Sequence, residues 1–231
     1  MIGIIGAMEL EVVELIGAME NPITYNHAGM KFISGKLEGT DAVVVRSGVG
    51  KVNAAVCTQI LIDRYQPKAV INTGIAGSVG LDVNIGDIVL STSAQQHDMN
   101  AVPFGYEVGI IPQQDCSDFP ADPQLLELAQ SCCAEYLPEI KVHTGRVVTG
   151  DLFVARKEQK TRLRERFDAL CTEMEGAAIA HAAWLNQTPY LVVRAISDNA
   201  NAEAVEDYPT FEKHAAACSA KLVRSMLRRL A

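Results

Sequence analysis

Three groups of carboxylates stand where they could do chemistry: Glu9 and Glu11 follow the apolar opening Met1–Gly6, Glu173 and Glu175 flank Met174, and Asp198 follows Arg194-Ala-Ile-Ser197. Each group lies at or near the end of a stretch that reads as a β-strand. An α/β sheet gathers its strand ends along one edge, so acids far apart in the chain can meet there. Carboxyl groups held in different surroundings can then serve as a general acid and a general base. A helix cap or dipole partner is the bland alternative, and it fits Glu9 and Glu175 taken singly. Three acidic groups converging are harder to explain as caps alone.

Glycine-rich turns are expected after three of these strands: Gly3-x-x-Gly6-Ala7, Ser47-Gly-Val-Gly-Lys51 and Thr73-Gly-Ile-Ala-Gly-Ser78. Glycine there lets backbone N–H groups approach a ligand closely. The first departs from GxGxxG, and the second lacks the spacing and hydroxyl of a phosphate-binding P-loop. The five histidines (His27, His97, His143, His181, His214) show no metal-ligand spacing, and no Cys/His cluster accompanies them. They read as structural, and no metal or cofactor is expected. Neither Ser47 nor Ser197 sits in a GxSxG elbow, which disfavours a covalent serine mechanism. The run Lys221, Arg224, Arg228, Arg229 follows helical spacing and reads as a solvated helix face.

The elements that must position these residues follow from hydrophobic periodicity. Strands are expected over Met1–Gly6, Lys31–Leu37, Ala42–Ser47, Ala69–Thr73, Asp87–Ala94, Lys141–Thr149 and Tyr190–Ile196. Helices are expected over Leu10–Met19, Val52–Tyr65, Pro123–Tyr136, Lys157–Phe167, Gly176–Leu185 and Thr210–Leu230. Strands such as Ala69–Asn72 are apolar on both faces, as a sheet covered on both sides requires. This pattern implies one three-layer α/β domain spanning residues 1–231. The Gly/Pro-punctuated segment Pro103–Pro123 is long and irregular, and such loops often carry function.

Composition narrows the partners. Twenty-eight acids against twenty bases leave a net charge of -8, which opposes the phosphate neutralisation that nucleic-acid binding requires. A small molecule is the expected ligand. No apolar run approaches the roughly 18 residues of a membrane span, and Glu9 and Glu11 interrupt any signal-peptide core. The six cysteines form no CxxC pair and read as reduced thiols. A cytoplasmic protein is expected.

In register along almost the whole chain, Gly3-Ile-Ile-Gly-Ala-Met-Glu-Leu-Glu11, Ser47-Gly-Val-Gly-Lys51, Asn72-Thr-Gly-Ile-Ala-Gly77, Phe104-Gly-Tyr106, Gly150-Asp151, Glu173-Met-Glu175 and Arg194-Ala-Ile-Ser-Asp198 resemble the bacterial 5′-methylthioadenosine/S-adenosylhomocysteine nucleosidases. The resemblance extends to the wider purine nucleoside phosphorylase superfamily. It implies a nucleoside phosphorylase-like fold with a mixed central β-sheet flanked by helices, and a homodimer whose partner helps close each pocket. It also implies an adenine nucleoside substrate, with Glu11 activating water and Asp198 protonating N7 of the base. Ser197 would orient the acid, Arg194 would position the site and Glu175 would hold the ribose hydroxyls.

By the same resemblance, Phe153 stacks on adenine, the Val154 backbone meets the purine edge and Met174 lies against ribose. Gly77 gives close backbone approach. Met8, Val49 and Tyr208 line an apolar 5′ pocket, with Phe104 and Pro112 supplied by the other subunit. Position 75 is Ile where many members carry a small hydroxyl residue, and position 208 is Tyr where Phe is familiar. The competing readings are a phosphorylase, which would draw on Arg46, Lys51 and Arg194 to hold phosphate, and a non-catalytic adenosine-binding module. The preferred substrate among methylthioadenosine, S-adenosylhomocysteine, 5′-deoxyadenosine and 6-amino-6-deoxyfutalosine stays open.

Overall fold

The computed structural model describes residues 1–201 and 204–231. In chain order the elements are β1 (Ile2–Gly6), α1 (Glu9–Gly17), β2 (Glu20–His27), β3 (Met30–Leu37), β4 (Thr40–Arg46), α2 (Lys51–Tyr65), β5 (Ala69–Ser78) and β6 (Ile88–Gln96). There follow β7 (Asp118–Pro120), α3 (Pro123–Tyr136), β8 (Val142–Thr149), α4 (Lys157–Phe167), β9 (Ala169–Glu173), α5 (Gly176–Leu185), β10 (Tyr190–Asp198) and α6 (Ala204–Leu230). All strands join one mixed sheet of order β10-β6-β8-β9-β5-β1-β4-β3-β2, with β7 on β6. Its buried strands include β-branched runs, such as Val43–Val45 and Val192–Val193, whose stiff side chains suit a sheet packed on both faces.

Helices α1, α3 and α6 bury Val12, Leu15, Leu125, Cys132, Leu222 and Met226 against one face. On the other, α2 and α5 bury Cys57, Leu61, Ile179 and Ala183. Strand β5 is the pivot. Its first half pairs with β1 in parallel, its length runs alongside β10, and its last two residues pair with β9. The sheet therefore curls back on itself through β5-β10-β6-β8-β9, which brings the ends of β1, β5, β9 and β10 around one opening.

Several features depart from the sequence expectations, and strands β7 and β9 lie outside the expected set. Thr73–Ser78, expected as a turn, continues β5 as a fully buried strand; its glycines mark places where side chains crowd the backbone rather than a change of direction. Strand β2 was not expected because its residues are mostly exposed and lack apolar alternation; it is an edge strand paired only with β3. The final helix starts at Ala204 and runs through Pro209, ahead of the expected Thr210.

Candidate active site

Glu11, in the first turn of α1, folds back over the chain that enters the helix. Its Oε2 accepts the backbone N–H of Ala7 at 2.6 Å and of Met8 at 2.9 Å. The Met8 N–H is the N-cap donor that an acid in the first turn satisfies, and Ala7 stands one residue before it. Its Oε1 accepts the Ile75 N–H from β5 at 3.1 Å. One side chain thus caps a helix and holds a carboxylate at the sheet edge. Burial pushes the Glu11 carboxyl above the ordinary range, although Arg194 and the three N–H donors pull it down. A raised carboxylate is a stronger base. A Cβ at position 74 would stand 2.5 Å from Glu11 Oε1, so any larger residue there would have to displace the carboxylate.

Asp198 ends β10 with 3% exposure. Its Oδ2 accepts the Ser197 hydroxyl at 3.0 Å, and its Oδ1 accepts the Ala200 N–H at 2.8 Å, a local turn that fixes the carboxyl. Glu175 stands just before α5, where its Oε1 accepts the Gly50 N–H at 2.8 Å. Gly50 has φ 96°, a left-handed conformation that glycine adopts without strain. Burial, and then the charge of Glu173, push Glu175 up to about 7.

These groups meet in one cavity of about 220 Å³. It is lined by Met8, Glu11, Val49, Ile75, Gly77, Phe153, Val154, Met174, Glu175, Ser197, Asp198 and Tyr208, together with Ala7, Ala76, Leu152, Thr172 and Glu173. The Phe153 and Tyr208 rings meet edge to face, with centroids 5.9 Å apart. The hydroxyl that Tyr208 brings donates to Met8 Sδ at 3.1 Å. Ile75 places an apolar side chain in the cavity wall beside the carboxylate that its backbone holds.

Arg194 is buried at 2% exposure and lies behind this lining. Its Nη2 donates to Glu173 and to Asn72 Oδ1. The sequence counts Glu173 only among the converging acids and assigns Asn72 no role; an Asn inside the apolar run Val70-Ile-Asn-Thr is the available signal. Phe104 and Pro112 do not line this cavity, and Phe104 is 83% exposed. Of the cations that a phosphate site would use, Arg46 pairs with Glu9 at 3.2 Å, Lys51 with Asp98 at 2.6 Å and Arg194 with Glu173. No group of three or more potential metal ligands is found among the described residues, nor is any described helix long and apolar enough to cross a membrane.

The family model described as the phosphorylase superfamily matches residues 1–228. A 5′-methylthioadenosine/S-adenosylhomocysteine nucleosidase of Chromohalobacter salexigens is 46% identical over 230 residues, 99% of this chain and 97% of that protein. Among solved structures, the nucleosidase of that name from Neisseria meningitidis, in complex with methylthio-immucillin-A, matches with a TM-score of 0.95 at 37% identity, over 99% of this chain and 98% of that one. The corresponding nucleosidase of Colwellia psychrerythraea 34H, in complex with adenine, matches with a TM-score of 0.94 at 40% identity, over 99% and 95% of the two chains.

Proposed function

This chain belongs to the phosphorylase superfamily and, within it, to the 5′-methylthioadenosine/S-adenosylhomocysteine nucleosidases, and from that premise we propose that it hydrolyses the N-glycosidic bond of these two nucleosides and releases adenine. The oxygen of water bonds to C1′ as the bond from C1′ to N9 breaks. Glu11 takes the proton of that water. The electron pair left on the base is met by a proton from Asp198 at N7, so adenine departs neutral. Glu175 accepts hydrogen bonds from the ribose hydroxyls while positive charge grows on the sugar. Phe153 stacks on the base, the Val154 backbone meets the purine edge, and Gly77 allows backbone approach. Met174 packs on the ribose, and Met8, Val49 and Tyr208 receive the 5′-thio group. Ser197 orients Asp198, and Arg194 positions the carboxylates from behind.

The observation that carries this reading is the charge balance of the cavity. Glu11, Glu173, Glu175 and Asp198 surround the space, whereas the Arg194 guanidinium behind it is already held by Glu173. Such a site favours a cationic sugar in the transition state and disfavours an incoming phosphate. The reaction balances with water and two proton transfers, so no cofactor is assigned. The deciding experiment is product analysis with methylthioadenosine, with and without phosphate. Free methylthioribose at equal rates is expected. Sugar 1-phosphate formed only with phosphate would make it a phosphorylase, and no adenine release would leave a binding module.

The same reading takes residues 1–231 as one domain of a cytoplasmic homodimer. Exposed apolar side chains of the cavity lining, Val49, Leu152 and Phe153, and the exposed Val102 and Phe104 support a second copy packing against this chain. Phe104 and Pro112 would then close the partner's pocket. Sedimentation of the wild type and of Phe104→Asp tests the assembly: a dimer that the charge dissociates is expected, and a monomeric wild type would refute it.

A further inference from the structure

One carboxylate of the cavity wall is wholly taken up by the protein itself. Glu173 ends β9, and its side chain is 3% exposed. Its Oε1 accepts the Thr149 hydroxyl, and Thr149 in turn accepts the Ala177 N–H at 2.7 Å. Its Oε2 accepts the backbone N–H of Glu175 at 3.1 Å and of Gly176 at 2.6 Å, and it also receives Arg194 Nη2. That one oxygen therefore joins the start of α5, which carries Glu175, to the guanidinium that faces Glu11. A Cβ on Gly176 would stand 3.1 Å from both oxygens, so the missing side chain there is what lets the carboxylate sit this close to the start of α5.

We propose that Glu173 is a positioning residue of the reaction: by holding the Glu175 backbone and the Arg194 guanidinium on a single oxygen, it sets where the ribose-binding carboxylate stands and how much of the Arg194 charge reaches Glu11. The inference rests on the roles proposed above for Glu175 and Glu11. Its electrostatic side follows from the neighbours. Glu175 is faced by Glu173 from β9, Glu11 from α1, Arg194 from β10 and the Gly50 N–H at the start of α2, with the Tyr208 phenol of α6 nearby. Glu173 is faced in addition by His97 and Cys171. Its negative charge opposes ionisation of Glu175 and occupies the cation that would otherwise favour ionisation of both Glu175 and Glu11.

Glu173→Gln removes the charge and leaves an amide oxygen able to accept from Glu175, Gly176 and Arg194. The expected result is a kcat lower by about 10–100-fold, as misplacement of catalytic groups produces, with the acid limb of kcat/KM displaced to lower pH. Glu173→Asp keeps the charge but is one methylene short, so it should lose rate without moving that limb. If Glu173 acts through Glu175, its substitution should also cost much less in a Glu175→Gln background than alone. Failure of the wild type to release adenine would sink the reaction itself. With an active wild type, the inference is overturned by a Gln variant of unchanged kcat, KM and pH profile, or by one that only loses thermal stability. Should the Gln variant not fold, the Asp variant measured with and without Glu175→Gln decides, and additive losses would refute the proposal.

Discussion

Gly77 and Asp198 are packed so closely that a Cβ on the glycine would stand 2.8 Å from Asp198 Oδ1. The same Cβ would stand 3.0 Å from the Ala200 Cβ, so the turn that fixes the aspartate has little room to yield. Gly77→Ala should cost about 1–3 kcal/mol of stability through overpacking and lower kcat by displacing the acid. Gly17→Ala is the control. Nothing lies within 4 Å of a Cβ there, and the residue is helical, so it should keep activity and gain a few tenths of a kcal/mol or more, about 0.4–1. Urea denaturation and turnover measured on both variants check the contrast; equal behaviour would refute it.

The pH profile should carry the mark of burial. Glu175 is pushed up to about 7 and Glu11 is raised as well, chiefly by desolvation, and both must be ionised to act as proposed. Protonating either removes its role, so kcat/KM should fall as pH drops below about 7 rather than near the ordinary carboxylate value. That limb of kcat/KM reports the free enzyme. A profile flat down to pH 5 would show that neither carboxylate has to ionise in this range.

How far the site is legible in sequence depends on whether a residue's partners are local. Glu11 signals itself, because an acid in the first turn of a helix after a buried strand is recognisable and its cap partners Ala7 and Met8 are adjacent. Glu173 does so only in part: the N–H groups of Glu175 and Gly176 that it accepts are local, but Thr149 and Arg194 are 24 and 21 residues away, and only the curl of the sheet brings them to it. Gly74 and Gly77 suggest a turn by composition, yet they lie inside β5, where the space their missing side chains leave is filled by Glu11, Arg194 and Asp198. The apolar strands were readable because burial on both faces leaves few polar positions. Strand β2, exposed along most of its length and carrying Pro22, offers no such pattern.

A 5′-alkylthio group should be preferred to the 5′-hydroxyl of adenosine. Met8, Val49, Ile75 and Tyr208 give the cavity apolar surface, and each buried CH₂ is worth about 0.8 kcal/mol. Tyr208→Phe removes only the hydrogen bond to Met8 Sδ, so the preference should survive and stability should change by about 1 kcal/mol or less. Competition assays with methylthioadenosine and adenosine measure the ratio. Equal kcat/KM for the two would remove the case for an alkylthio pocket.

Asp198→Asn should cripple adenine release while leaving the fold and much of the binding intact. Asn retains the shape of the side chain, and its amide oxygen can replace Oδ1 as acceptor of the Ala200 N–H, while the amide nitrogen takes the place of Oδ2 beside the Ser197 hydroxyl. The amide can donate a hydrogen bond to N7 but has no proton to surrender when the glycosidic bond breaks. The transition state therefore loses more than the bound ground state. A fall of about 10²–10⁴-fold in kcat is expected, with a smaller change in KM. A nucleoside whose base departs readily without protonation should recover part of the rate, and that rescue separates lost proton transfer from lost structure. A well-folded Asn variant that still releases adenine at nearly the parent rate would remove Asp198 as the acid, and the opening beside Gly77 would then need another explanation.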